Sequence, residues 1–125
     1  MPQTFRIKYP LTAKEYLQIA EKELNSLCSE LFRNMPPEAS GIAVLESLFH
    51  EALTVAESRN VPLHCGEYGV INLADPQSAL AWHKDMHTLL EKYSIGRAMW
   101  SYKEMDFGLI DKHYEEVFEE LKKLL

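Results

Sequence analysis

The sequence predicts an α/β fold in which two parallel strands are joined by a helix. Three observations carry this. Apolar residues recur at spacings of three and four over four long stretches, the period of a helix with one buried face. Two short apolar-rich runs, 61–66 and 95–101, are bounded by turn residues and read as strands. From residue 40 onward these alternate as helix, strand, helix, strand, helix, and strands separated by a helix pair in parallel through a right-handed crossover.

Residues 4–9 alternate Phe5, Ile7 and Tyr9 with polar neighbours, a pattern too brief to separate a short strand from an extended loop; Pro10 ends it. Thr12 and Glu15 have capping-box spacing, each side chain bonding the other residue's free N–H, so a helix begins near Ala13. Tyr16, Ala20, Leu24, Leu27, Leu31 and Phe32 then lay one stripe along a single long helix, which Pro36 and Pro37 stop. A second helix starts at Pro37 or Ser40 and runs to Ser58. It buries Ile42, Leu45, Phe49, Leu53 and Ala56, with Asn60 as a left-handed cap.

In the first strand Pro62 limits ladder hydrogen bonding at the start, and Val61, Leu63, Cys65 and Glu67 share one face. His64 then points at the helix layer as a buried, hydrogen-bonded histidine. Asp75 caps the next helix and Pro76 takes its first position, where a missing N–H costs nothing; Leu80, His83, Met86, His87 and Leu90 continue it. The second strand places Gly96, Ala98 and Trp100 on one face and Ile95, Arg97 and Met99 on the other. A final helix over 111–124 carries Tyr114, Val117, Phe118, Leu121 and Leu124 as its apolar stripe and several Glu residues as a solvated face. The chain divides into 1–39, an extended segment and helix, and 40–125, the α/β part.

With 125 residues, 46% hydrophobic and 26% charged, the composition is that of a soluble globular chain. A net charge of −6 and scattered Lys and Arg disfavour nucleic acid and anionic membranes as partners. No apolar run approaches the roughly 18 residues a membrane span needs. Residues 1–10 lack the apolar stretch of a secretory signal, and the compartment is left open. Cys28 and Cys65, distant and without CxxC spacing, read as two buried thiols. His83 and His87 stand i, i+4, but Lys84 follows His83, so HExxH is absent and no metal site is expected. No phosphate loop, Ser-His-Asp pattern or catalytic Cys segment stands out, so no cofactor is expected either.

Glu67 follows the first strand and Gly66, which puts a carboxylate at the C-terminal end of a parallel strand, where (β/α) barrels build active sites. Composition alone makes it an ordinary solvated loop glutamate. The segment Leu63-His64-Cys65-Gly66-Glu67-Tyr68-Gly69-Val70 resembles the apolar-x-x-Gly-Glu-Phe/Tyr-Gly stretch on barrel strand seven of family 5 glycoside hydrolases, enzymes of the cellulase type. Ile95-Gly96-Arg97-Ala98-Met99-Trp100-Ser101-Tyr102-Lys103, followed by Asp106-Phe107-Gly108-Leu109-Ile110-Asp111, is similar to that family's strand eight and its turn into helix eight. The resemblance covers about 40–125. It implies a partial (β/α)8 TIM barrel, the last two β/α units preceded by one or two helices. It also implies retaining hydrolysis with Glu67 as nucleophile, Trp100 as a stacking platform for sugar, Tyr68, Tyr102 and Lys103 as further substrate-binding candidates, and a β-linked oligo- or polysaccharide as partner.

The sequence departs from that family in one respect that matters for chemistry. The family's acid/base Glu follows an Asn, and no Asn-Glu pair occurs here; its His-x-Tyr segment is missing too. Glu104 and Asp106 read as residues that shape the loop after Trp100. A full barrel needs about 250 residues, and two strands leave both sheet edges open. The expected function is therefore a fragment of a retaining β-glycan hydrolase with the nucleophile but not the acid/base, inactive alone and completed by another chain or a homo-oligomer. In that case Glu67 and Trp100 line a concave aromatic site. The alternative is a non-catalytic oligomeric interaction module derived from such a barrel.

Overall fold

The computed structural model describes residues 8–23 and 26–125; most of the 4–9 pattern and the middle of the long first helix lie outside the described residues. Two helices, α1 (Ala13–Glu23) and α2 (Ser26–Arg33), replace that single helix. The capping box forms as expected: Thr12 N–H donates to Glu15 Oε2 at 2.8 Å, and Glu15 N–H donates to Thr12 Oγ1 at 3.2 Å. The rings of Tyr16 and Phe32 stack with centroids 5.2 Å apart. Along one straight helix, sixteen residues would separate them by about 24 Å. The chain therefore turns back into a helical hairpin, in which Tyr16 and Phe32 meet and Arg33 reaches Glu21 at 3.2 Å.

The hairpin is stitched to the rest of the chain by an antiparallel bridge between Thr12 and Ser40 and by Ala13 N–H on the Ala39 carbonyl at 2.7 Å. Tyr9 adds a second anchor, its N–H on Ser78 Oγ at 3.2 Å and its hydroxyl on Asp85 at 2.5 Å. After Gly41, whose φ of 54° lies in the left-handed region, α3 (Ile42–Arg59) ends at Asn60 in left-handed geometry, as the sequence predicts. β1 (His64–Tyr68), α4 (Pro76–Lys92) and β2 (Gly96–Met99) follow, and the two strands pair in parallel. Asp75 caps α4, accepting from Ser78 N–H at 2.9 Å with Pro76 in the first turn.

Leu45 from α3, Met86, Leu89 and Leu90 from α4, Tyr68 from β1, and Ile95 just before β2 form the main core; Ile42, Phe49 and Leu53 extend it. Each such side chain contributes about 1.5–3 kcal/mol of burial. A second core, made of Ala79, Leu80, Leu109, Tyr114, Val117 and Leu121, packs the C-terminal segment against the start of α4. These contacts cover one face of the sheet and leave the other to solvent.

Two further expectations need correction. β1 begins at His64, not Val61: Pro62 has no N–H for the ladder, and Val61 stays 49% exposed. The final helix is broken into a 3-10 turn (Lys112–Tyr114), the short helix α5 (Phe118–Leu121) and a second 3-10 turn (Lys122–Leu124). Its apolar stripe is right, since Tyr114, Val117 and Leu121 are buried. The backbone closes instead at i+3, with Tyr114 N–H on Asp111, Glu115 on Lys112 and Val117 on Tyr114. Glu115 with Glu119, and Glu116 with Glu120, would be like-charge i, i+4 pairs in a continuous helix, which disfavours one.

Candidate active site at the ends of the two strands

Both strands run toward the same end, where Trp100 N–H donates to the Tyr68 carbonyl at 2.8 Å. Between the pairs Cys65↔Arg97 and Tyr68↔Met99, β1 advances three residues and β2 two. The extra residue is a β-bulge at Gly66–Glu67, and it resets which side chains face the helices. Cys65, a free thiol, packs on the main core and donates across the bulge to the Glu67 carbonyl at 3.6 Å. Tyr68 also faces the helices, edge-on to His83 with ring centroids 6.1 Å apart. Glu67, between them, turns to the uncovered face, where it is exposed.

On β2 the alternation is regular. Gly96, Ala98 and Trp100 are exposed while Arg97 and Met99 are half-buried. Glu67 and Trp100 thus emerge on the same face, at the same end, from neighbouring strands. The bulge corrects two expectations. Cys65 does not share the Glu67 face. His64 does, and it is exposed beside Gly96, where a β-carbon would meet its Nδ1 at 2.8 Å. Tyr68, a substrate-binding candidate by resemblance alone, is 8% exposed and packs in the main core.

The backbone after the strands is drawn tight. A β-carbon at Gly69 would fall within the radius of the Trp100 carbonyl oxygen and 3.3 Å from the Phe107 ring, so only glycine admits this approach. The Trp100–Ser101 peptide is cis. Beyond it, Leu109 N–H bonds the Ser101 carbonyl at 3.0 Å and Ile110 N–H bonds the Tyr102 carbonyl at 3.2 Å. Glu104, Met105 and Asp106 take left-handed φ of 62°, 57° and 63°, and the turn is held by Ser101 Oγ on the Glu104 carbonyl and by Glu104 N–H on Asp111, at 2.9 and 3.0 Å. Asn72 N–H on the Asp106 carbonyl at 2.7 Å ties this loop to the one after β1. Glu104 and Asp106 shape the loop as the sequence suggests. The loop presents Trp100, 39% exposed, and Tyr102, 72% exposed, with Lys103 beside them and its ammonium 3.8 Å from Glu104.

Neither of the two main cavities among the described residues lies at this end. Cavities of about 380 and 510 Å³ lie elsewhere, one around Leu109, Lys112 and Phe118 and the other around Leu31, Met35 and Leu48, and neither includes Glu67 or Trp100. Two strands make a floor without walls. Behind that floor, burial holds His83 down to about 4, so its imidazole is neutral, and among the described residues its Nδ1 has no hydrogen-bond partner. Burial pushes the Tyr68 phenol up, opposed by Arg97. The sequence places Arg97 only on the strand face opposite Trp100 and does not show that it joins Glu91 and His87. Among the described residues no cluster of His, Cys, Asp and Glu is arranged to hold a metal, and no helix is long and apolar enough to cross a membrane.

No protein-family profile matches the chain. Over 74 residues, 59% of its length, it is 43% identical to Endoglucanase C of Acetivibrio thermocellus and to Endoglucanase C307 of Clostridium sp. (strain F1), covering 22% of each. Cellodextrinase A of Ruminococcus flavefaciens is 38% identical over 55 residues, 44% of this chain and 16% of that protein. A hyperthermophilic endo-beta-1,4-glucanase, solved in complex with substrate, superposes with a TM-score of 0.53 at 28% identity, over 57% of this chain and 23% of that one. The chain spans about a fifth of the length of these endoglucanases. It therefore carries a cellulase-type segment, homologous to endoglucanases over most of its length.

Proposed function

We propose that this chain supplies the nucleophile and sugar-stacking half of a retaining β-glucan hydrolase site of the family 5 type, on the last two β/α units of a (β/α)8 barrel. One observation carries the reading: in a chain homologous to endoglucanases, Glu67 and Trp100 leave neighbouring parallel strands at their C-terminal ends, on one uncovered face. In the first step a Glu67 carboxylate oxygen bonds the anomeric carbon as the glycosidic C–O bond breaks, and the leaving oxygen takes a proton from a second carboxylic acid about 5 Å away. Water then cleaves the glycosyl ester and returns a proton to that second group. The Trp100 ring stacks on the apolar face of a sugar, and Tyr102 and Lys103 bond its hydroxyls. The second carboxyl comes from outside these 125 residues, on a complementing chain or segment that also raises the walls of the site.

The test is turnover of β-glucan. The 125-residue polypeptide alone is expected to show none, because nothing protonates the leaving oxygen. Combined with the remaining part of a homologous endoglucanase it is expected to turn over. Glu67→Gln then abolishes kcat, while Trp100→Ala mainly raises KM. Activity that survives Glu67→Gln overturns the assignment. A second reading, a non-catalytic interaction module, draws on Leu31 and Leu48, about half exposed in the groove between α2 and α3. A monomer at all concentrations in native mass spectrometry would argue against it.

A further inference from the structure

We propose that His87 is a proton-operated selector, which shares its single Nδ1 between the 122–124 turn and Arg97 so that docking of that turn on α4 tightens as the pH falls. The geometry is a contest for one atom. His87 Nδ1 lies 3.1 Å from the Leu124 carbonyl oxygen and 3.2 Å from Arg97 Nη2. The carbonyl only accepts; the guanidinium only donates and keeps its charge at any pH a protein survives. Nδ1 serves the carbonyl when it bears hydrogen and the guanidinium when it offers a lone pair. It cannot serve both.

Neutral imidazole divides between these two bonds. The tautomer with hydrogen on Nε2 accepts from Arg97, and a bond with one charged partner is the stronger type. Imidazolium carries hydrogen on both nitrogens, so Nδ1 must donate, Leu124 holds it fully and Arg97 is turned away. Arg97 has another partner ready: its Nη1 already lies 2.6 Å from Glu91 Oε1.

The charged groups around His87 leave this contest intact. From its own helix Glu91 faces Arg97 and His87, its carboxyl held below the usual range first by Arg97 and to a lesser extent by His87. Lys84, one turn earlier, is engaged by Glu120 of α5 at 2.7 Å. From the turn, Lys122 pairs with Glu119 at 2.9 Å and Lys123 faces Glu120.

The whole 125-residue chain, labelled with ¹³C and ¹⁵N, tests this by NMR between pH 8 and 5. The Leu124 carbonyl shift is expected to move with the same midpoint as the His87 ring nitrogens, and hydrogen-exchange protection over 121–124 to rise on the acid side. His87→Gln should abolish the Leu124 titration. Arg97→Gln removes the competitor and a neighbouring positive charge, so the His87 midpoint should move up and the Leu124 response shrink. A Leu124 carbonyl that stays flat through the His87 midpoint, titrates unchanged in His87→Gln, or ignores Arg97→Gln overturns the proposal.

Discussion

Glu67 reaches the uncovered face because β1 is irregular, and glycines flank Glu67 there. Gly66 sits in the bulge, and Gly69 lets the chain pass the Trp100 carbonyl with no room for a β-carbon. Gly69→Ala is expected to cost about 1–3 kcal/mol by overpacking, because the obstructing atom is backbone and cannot swing away. Denaturant unfolding measures the cost, and an altered Trp100 environment in fluorescence reports the displaced loop. His83 makes a second residue-level prediction. Its imidazole titrates at about 4 in the fold against an ordinary 6.5, so the unfolded chain takes up the proton first. Stability therefore declines as pH falls through that window, by at most about 1.4 kcal/mol per pH unit. His83→Met, of similar volume and without a titrating ring, should flatten the decline between pH 6.5 and 4 in pH-dependent melts. The sequence made Glu67 legible through its glycine-flanked motif. It misplaced His64 and Cys65, because strict alternation contains no bulge, although two glycines near a strand end are the signal of one.

At the scale of elements, local signals with their own hydrogen bonds were the ones that read correctly. Thr12 with Glu15, Asp75 before Pro76, and Asn60 each fix a helix end through bonds formed within a few residues. Asp75→Ala is accordingly expected to cost about 1 kcal/mol, seen as a lower melting temperature with the fold retained. The α1–α2 hairpin and the broken final helix were not legible. A periodic stripe records that a face is buried, but not whether the helix turns back on itself, as the stacking of Tyr16 on Phe32 requires, or closes at i+3. What holds the C-terminal segment is tertiary: the Tyr114 hydroxyl donates to the Val70 carbonyl at 2.5 Å, and burial pushes that phenol up to about 12. Tyr114→Phe should cost about 1 kcal/mol and raise hydrogen exchange over 112–124, while β1 and β2 keep their protection.

For the whole molecule, the helix–strand order was legible because crossover chemistry leaves few choices, whereas the surroundings of the sheet were not. The α3 and α4 helices cover one face; among the described residues the other shows Gly96, Ala98 and Trp100 with no layer over them, and the two-stranded sheet has a free edge on each strand. Small side chains at Gly96 and Ala98 let another backbone or ring come close, and unpaired edge N–H and C=O groups template further strands. The 125-residue polypeptide is therefore expected to self-associate, its sedimentation coefficient rising with concentration. Ala98→Lys sets a charge in the middle of the uncovered face, where Ala98 is already exposed, and should return the chain toward the monomer without lowering its melting temperature. A complementing segment that builds on the same face should compete with self-association and dissociate it, and Ala98→Lys should weaken that complementation in step. If sedimentation is independent of concentration, or if Ala98→Lys leaves association unchanged, this face is not where the molecule is joined.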